Sequence, residues 1–163
     1  MKVYLAGSWS ARDDLRLASE SLTKSGIFVT SRWLHQSGGD IDPLDSPGPA
    51  ISAALNDLED IESSDIFLLY TGRESTTGGF HVELGYALAR AKPILIAGNA
   101  VNIFARLATV LVPSLGNAIE IIRYWDNNDS VIANDEEGRT YFVKLVDKEN
   151  HEDNGSTVKT EEN

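Results

Sequence analysis

The sequence predicts an α/β fold: a doubly wound, five-stranded parallel sheet with helices on both faces, followed by a C-terminal hairpin and tail. Three observations lead there. Short apolar and β-branched runs alternate with helical stripes up to Trp125. Glycines stand where strands and helices should end, at Gly7 and Gly26. The composition, 163 residues with 42% apolar and 24% charged, is that of one ordinary globular domain.

The elements follow in order. Lys2–Ala6 is a buried first strand ending at Gly7. Ala11, Leu15, Ala18 and Leu22 recur at helical spacing, and Gly26 stops that helix. Residues 27–30 form a second strand, and 36–49, rich in Gly, Asp, Ser and Pro, form a loop. Ile51, Ala54, Leu55, Leu58 and Ile61 mark a helix whose Leu58 and Ile61 face the core. A third strand spans 66–70 and a polar loop 71–79. Leu84, Ala87, Leu88 and Ala91 line the next helix. A fourth strand spans 93–97, a short helix 101–107 and a fifth strand 110–112. Ser114 caps a last helix through Leu115, Ala118, Ile119 and Ile122.

This organisation divides the chain into a domain at 1–125, a possible hairpin extension at 126–147 and an acidic, disordered tail at 148–163. The hairpin would pair 131–133 with 140–146.

Charge and composition exclude several classes of function. There are no cysteines, so disulfide scaffolds, thiolate chemistry and cysteine–zinc sites are ruled out. No apolar run approaches the ~18 residues of a membrane helix. The opening segment reaches a glycine turn too early for a signal peptide, so a cytoplasmic protein is expected. Lys and Arg number 14 against 25 Asp and Glu, a net charge of −11, and residues 126–163 carry 4 basic and 11 acidic groups. Such a chain is repelled by duplex nucleic acid and by anionic membranes, while local geometry still permits a small nucleotide.

Parallel sheets bind ligands outside the carboxyl ends of their strands. The residues 7–12, 71–79 and 98–102 should meet there. In Gly78-Gly79-Phe80-His81-Val82-Glu83-Leu84, the glycine pair lets backbone approach a ligand. Glu83 falls in the first turns of the helix, where the dipole favours its anion. An ionised carboxylate there suits attack on an electrophilic sugar carbon, although the same placement also serves stability alone. Asp57 and Asp60 lie one turn apart and offer a second carboxylate, or simply a solvated acidic face.

Tyr4, near the end of the first strand, can reach the cleft or remain a core tyrosine. Gly7, Ser8, Trp9, Ser10 and Arg12 lead into a helix at a position where phosphate often binds. No dinucleotide fingerprint and no P-loop motif is present. His81, two residues before Glu83, does not share a helical face with it, so no metal site is expected.

Taken together, these segments resemble the nucleoside 2-deoxyribosyltransferase superfamily, which includes related deoxynucleoside 5′-monophosphate N-glycosidases. Tyr4-Leu5-Ala6-Gly7 resembles its opening strand and turn. Asn56-Asp57-Leu58 with Ile61 and Asp65 resembles its second-helix motif. Val82-Glu83-Leu84-Gly85-Tyr86-Ala87 resembles its nucleophile segment, and Lys92-Pro93-Ile94 its lead into the next strand. The four matches occur in order across roughly residues 3–107.

The resemblance implies a flavodoxin-like sheet, no cofactor, and roles residue by residue. Glu83 matches the nucleophile that forms a covalent deoxyribosyl-enzyme, Asp57 the acid that protonates the leaving base, and Tyr4 the residue that orients the nucleophile. Residues 100–104 look like the segment that reaches a neighbouring subunit's site, with Asn102 contacting the sugar's 5′ end. This implies a homo-oligomer with shared sites. Deoxyribosyl transfer between bases is the leading expectation, and hydrolysis of a deoxynucleoside monophosphate is the runner-up. An NAD glycohydrolase of the TIR-like kind and a silent nucleotide-binding module are further alternatives. Ser8, Ser10 and Arg12 lean towards a phosphate, Asn102 towards a free 5′-hydroxyl. The form around His81 matches neither pattern.

Overall fold

The protein is described by a computed structural model covering residues 1–36, 45–73, 78–128, 130–134 and 140–144. Five strands make one sheet: β1 (Lys2–Gly7), β2 (Phe28–Val29), β3 (Ile66–Tyr70), β4 (Ile94–Ala97) and β5 (Val110–Val112). All its pairings are parallel, in the order β2-β1-β3-β4-β5. Successive crossovers leave β1 in opposite directions, so the topological switch lies between β1 and β3.

The central strands are apolar almost without a break, with Val3–Ala6, Ile66–Leu69 and Ile94–Ala97 all buried. That pattern belongs to a sheet covered on both faces. The helices α1 (Arg12–Thr23) and α4 (Leu115–Asn128) pack together on one face, and α2 (Pro47–Ser63) and α3 (Gly79–Ala89) on the other. In α1, Leu15, Ala18 and Leu22 go inward. Each fully buried leucine contributes about 1.5–3 kcal/mol. Strands β6 (Ser130–Asn134) and β7 (Thr140–Lys144) pair antiparallel, from Ser130↔Lys144 to Asn134↔Thr140. The expected tail at 148–163 lies outside the described residues, as does 37–44 of the expected loop.

Several expectations are corrected. Helix α2 starts at Pro47, inside the segment expected to be loop, with proline at its first positions. Proline is tolerated there because the first N–H groups of a helix have no partner to lose. Its apolar stripe does not all face the core. Ile61 is buried, but Ile51 and Leu55 are 61% and 62% exposed, because only the C-terminal half of α2 docks. Helix α4 runs to Asn128.

Helix α3 ends at Ala89, so Ala91 lies outside it. The helix closes with Lys92 N–H on Ala87 O and Ala91 N–H on Leu88 O, with Ala91 at φ +50°. That is a Schellman motif with alanine where glycine is usual. Helix α1 closes in the same way with Gly26 at φ +85°.

Candidate active site

Three elements bring three oxygen-bearing side chains together. On β1, side chains alternate between faces, and Tyr4 faces α2 and α3. Its ring lies against that of Phe67, its register partner on β3, at 5.7 Å and 11°. Asp57 comes from the middle of α2 and Glu83 from the second turn of α3. Tyr4 Oη, Asp57 Oδ1 and Glu83 Oε2 are all buried, and none meets hydrogen-bond geometry with another group among the described residues. Buried polar atoms without partners are rare and costly, so three in one place mark a site built for something other than stability.

The electrostatics follow from burial. Glu83 was expected to be held as an anion by its helix terminus. Instead, desolvation first and the Asp57 charge second push its carboxyl up to about 8, with nearby Tyr4 opposing. Desolvation outweighs the helix dipole because the carboxylate points at the sheet rather than at water. Asp57 is raised to about 6 by burial and by the charge of Asp60, against Arg32 and Tyr4. The Tyr4 phenol is held well above its usual range by burial, then by Glu83 and Asp57. The two carboxyls therefore share a single proton near neutrality.

The remaining predicted residues divide. Gly7 ends β1 where a Cβ would meet Leu15 Cδ1 at 2.8 Å and Tyr70 O at 3.3 Å, so any side chain there would displace the tip of Leu15. Ser8 and Ser10 bond to each other at 2.8 Å. A 3-10 turn, Trp9–Ala11, separates β1 from α1, whose first turn carries Asp13 and Asp14. Arg12 is buried, with its guanidinium 4.3 Å over the Trp9 ring. Its Nε donates to Leu34 O at 3.0 Å and an Nη to Gln36 O. Its bonds go to the backbone of a second 3-10 turn, Arg32–His35.

Asp60 is also engaged, bound by Arg32 rather than open to the cleft. Gly78 and Gly79 need no positive φ, and a Cβ on either would meet nothing among the described residues. They leave space instead of making a strained turn. His81 Nδ1 lies 3.0 Å from Asn102 Nδ2, and Asn102 Oδ1 accepts from Ala105 N–H at 3.0 Å. Within one chain, Asn102 thus caps a 3-10 turn, Ile103–Leu107, and faces α3.

The three expected loops do approach one another. Thr71 Oγ1 donates to Asn99 O at 2.8 Å, and Arg73 pairs with Asp14 at 2.8 Å. Residues 74–77 lie outside the described residues. Sequence reasoning assigned nothing to Ser31, Arg32 and Trp33. The available signal was a basic, aromatic segment directly after a strand, at the edge where ligands bind.

No protein-family model and no curated protein matches the chain. Solved structures do. A 2-deoxyribosyltransferase from Bacillus psychrosaccharolyticus superposes with a TM-score of 0.57 at 22% identity, over 73% of this chain and 90% of that one. A conserved protein from Enterococcus faecalis V583 gives 0.55 at 19% identity, over 76% and 98%. A CMP N-glycosidase from Clostridium botulinum gives 0.46 at 18% identity, over 76% and 99%. The likeness to the first two shows a shared α/β sheet architecture. Among the described residues, no helix is long and apolar enough to cross a membrane.

Proposed function

We propose that the protein belongs to the nucleoside 2-deoxyribosyltransferase superfamily and moves deoxyribose from one nucleobase to another. The observation that carries the reading is the buried meeting of Tyr4 Oη, Asp57 Oδ1 and Glu83 Oε2, with both carboxyls raised. A carboxylate pair sharing one proton is what stepwise glycosidic chemistry requires.

A Glu83 oxygen attacks C1′ of the deoxynucleoside as the C1′–N bond breaks. The bond electrons pass to the base nitrogen, which takes the proton of Asp57. The acceptor base nitrogen then attacks C1′ from the face the first base left. The ester C1′–O bond breaks to restore the Glu83 carboxylate, and the acceptor's proton returns to Asp57. Two inversions give retention.

The reactive form has the proton on Asp57. Within the chain itself, Glu83 at about 8 outcompetes Asp57 at about 6 for it. The reactive arrangement is then the minor tautomer. Substrate burial and the Tyr4 hydroxyl, which supports ionised Glu83, supply the bias.

Arg12 favours a free nucleoside over a monophosphate. Its guanidinium is tied to Leu34 O and Gln36 O, which occupies donors that a phosphate would need. We also read the chain as a homo-oligomer. Phe104 and Leu107, 56% and 64% exposed, line an apolar groove of about 600 Å³ together with Asn102, and Val82 and Ile103 are 68% and 80% exposed. Such a patch marks an interaction surface.

The test incubates the protein with deoxynucleosides and deoxynucleoside monophosphates, with and without a free acceptor base, and separates the products by chromatography. New nucleoside only in the presence of acceptor supports transfer. Free base without acceptor would replace transfer by hydrolysis, and no turnover would remove the enzymatic reading.

A further inference from the structure

Among the described residues no cation pairs with Asp57, yet its helical turn is gripped from outside. Arg32 N–H donates to Asp60 Oδ2 at 2.9 Å and Arg32 Nε to Asp60 Oδ1 at 2.7 Å, so both oxygens of one carboxylate are held. The same guanidinium donates through Nη2 to Asn56 O at 3.1 Å and to Glu59 Oε2. Residues 56, 59 and 60 bracket position 57 on both sides. Arg is suited to this because its planar fork satisfies several acceptors at once.

The clamp is itself anchored to the strand that carries Tyr4. Leu5 N–H donates to Ser31 Oγ at 2.6 Å, the Ser31 hydroxyl donates to Leu5 O at 3.1 Å, and Trp33 Nε1–H donates to Leu5 O at 2.8 Å. A continuous chain of bonds therefore runs from β1 through Ser31–Trp33 to the turn bearing Asp57.

Charge adds a second role. The Asp60 side chain is only 7% exposed, whereas that of Arg32 is 50% exposed. A buried carboxylate near Asp57 is tolerable when its partner is in place, and breaking such a pair leaves an uncompensated charge. The groups acting on Asp57 are Tyr4 from β1, Arg32 from the 3-10 turn, Asp60 from α2 itself, and Glu83 from α3.

We infer that Arg32 is the positioning residue of Asp57, fixing its helical turn against β1 and offsetting the charge of Asp60. The inference deepens the reading of Asp57 as proton donor and rests on it for its kinetic meaning. Its physical content can be read without any substrate.

The test titrates full-length protein labelled with carbonyl-13C aspartate by NMR, with Asp57→Asn assigning the resonance. Wild type is compared with Arg32→Met and Asp60→Asn. The Asp57 midpoint should rise by about one pH unit in Arg32→Met and fall in Asp60→Asn. On a substrate the wild type turns over, Arg32→Met should lose about tenfold or more in kcat with KM nearly unchanged, the mark of an effect on the reacting form rather than on binding. An unmoved midpoint in folded Arg32→Met overturns the inference. Should that variant not fold, an unmoved midpoint in Asp60→Asn overturns it instead. Shifted midpoints in a protein that turns over no deoxynucleoside would remove the transfer reaction and leave the positioning role standing.

Discussion

Tyr4 and Phe67 lie opposite each other across β1 and β3, and their rings stack at 5.7 Å with an angle of 11°. The contact fixes the phenol from the sheet side, so the hydroxyl reaches the carboxyls at no further cost in side-chain freedom. Among the described residues the hydroxyl meets strict hydrogen-bond geometry with no group, although it lies near enough to Glu83 and Asp57 to favour their ionised forms. Tyr4→Phe should therefore leave thermal stability within about 1 kcal/mol of wild type, or raise it, while lowering kcat by about tenfold or more. Calorimetry and steady-state rates check the two halves separately.

Glu83→Gln should abolish turnover and stabilise the fold above neutral pH. Folded Glu83 sits near 8, against a usual value near 4.5. Between these pH values the folded state binds more protons than the unfolded one, so stability falls as pH rises. Asp57, raised to about 6, adds to the same slope at the acid end. Urea unfolding from pH 5 to 9 should show wild type losing stability on the order of 2–4 kcal/mol, and Glu83→Gln losing much less.

The rate should follow a bell in pH with limbs near 6 and 8, set by the carboxyl pair. Below the lower limb both are protonated and Glu83 cannot attack. Above the upper limb both are ionised and no acid remains. A pH profile of kcat/KM that is flat from 5 to 9 would contradict the shared proton.

Ala91 occupies the left-handed region at φ +50°, closing α3. An L-residue pays a steric cost there that glycine does not. Ala91→Gly should raise stability by ~0.5–1 kcal/mol with unchanged turnover. The unfolding midpoint in urea is the measurement.

Replacing Phe104 and Leu107 by aspartate should shift the protein to a smaller species in analytical ultracentrifugation. Both side chains are more than half exposed, so the folded chain bears the charges without loss of core.

Much of the sheet was legible because its strands are uninterrupted apolar runs between strong breakers. Residues 66–70 and 110–112 are bounded in the structure as the pattern predicts. Gly26 announced its helix end, whereas Ala91 gave no such signal at an equivalent turn. The two 3-10 turns at Trp9–Ala11 and Arg32–His35 are too short to leave a periodicity, which is why Arg32 went unnoticed. The stripe of α2 misled for a different reason. Periodicity reports an apolar face, but not whether the same chain covers it.

The charge states were beyond reach of the sequence. Glu83 near a helix start reads as an anion until β1 and α2 are brought against it. The same limit applied to Arg12, whose donors are taken by carbonyls 22 and 24 positions away.

The register between β1 and β3, from Val3↔Ile66 to Gly7↔Tyr70, has a consequence for how the chain reaches its native state. The two strands that centre the sheet are separated by about sixty residues, so closing them costs chain entropy before any reward returns. The folding rate should be limited by this closure rather than by formation of the helices. Truncating Leu5 or Leu68 should then slow folding itself, whereas truncating Ile122 on α4 should chiefly hasten unfolding. The strand bearing Tyr4 would thus be laid down well before β3 and be among the last to find its central neighbour.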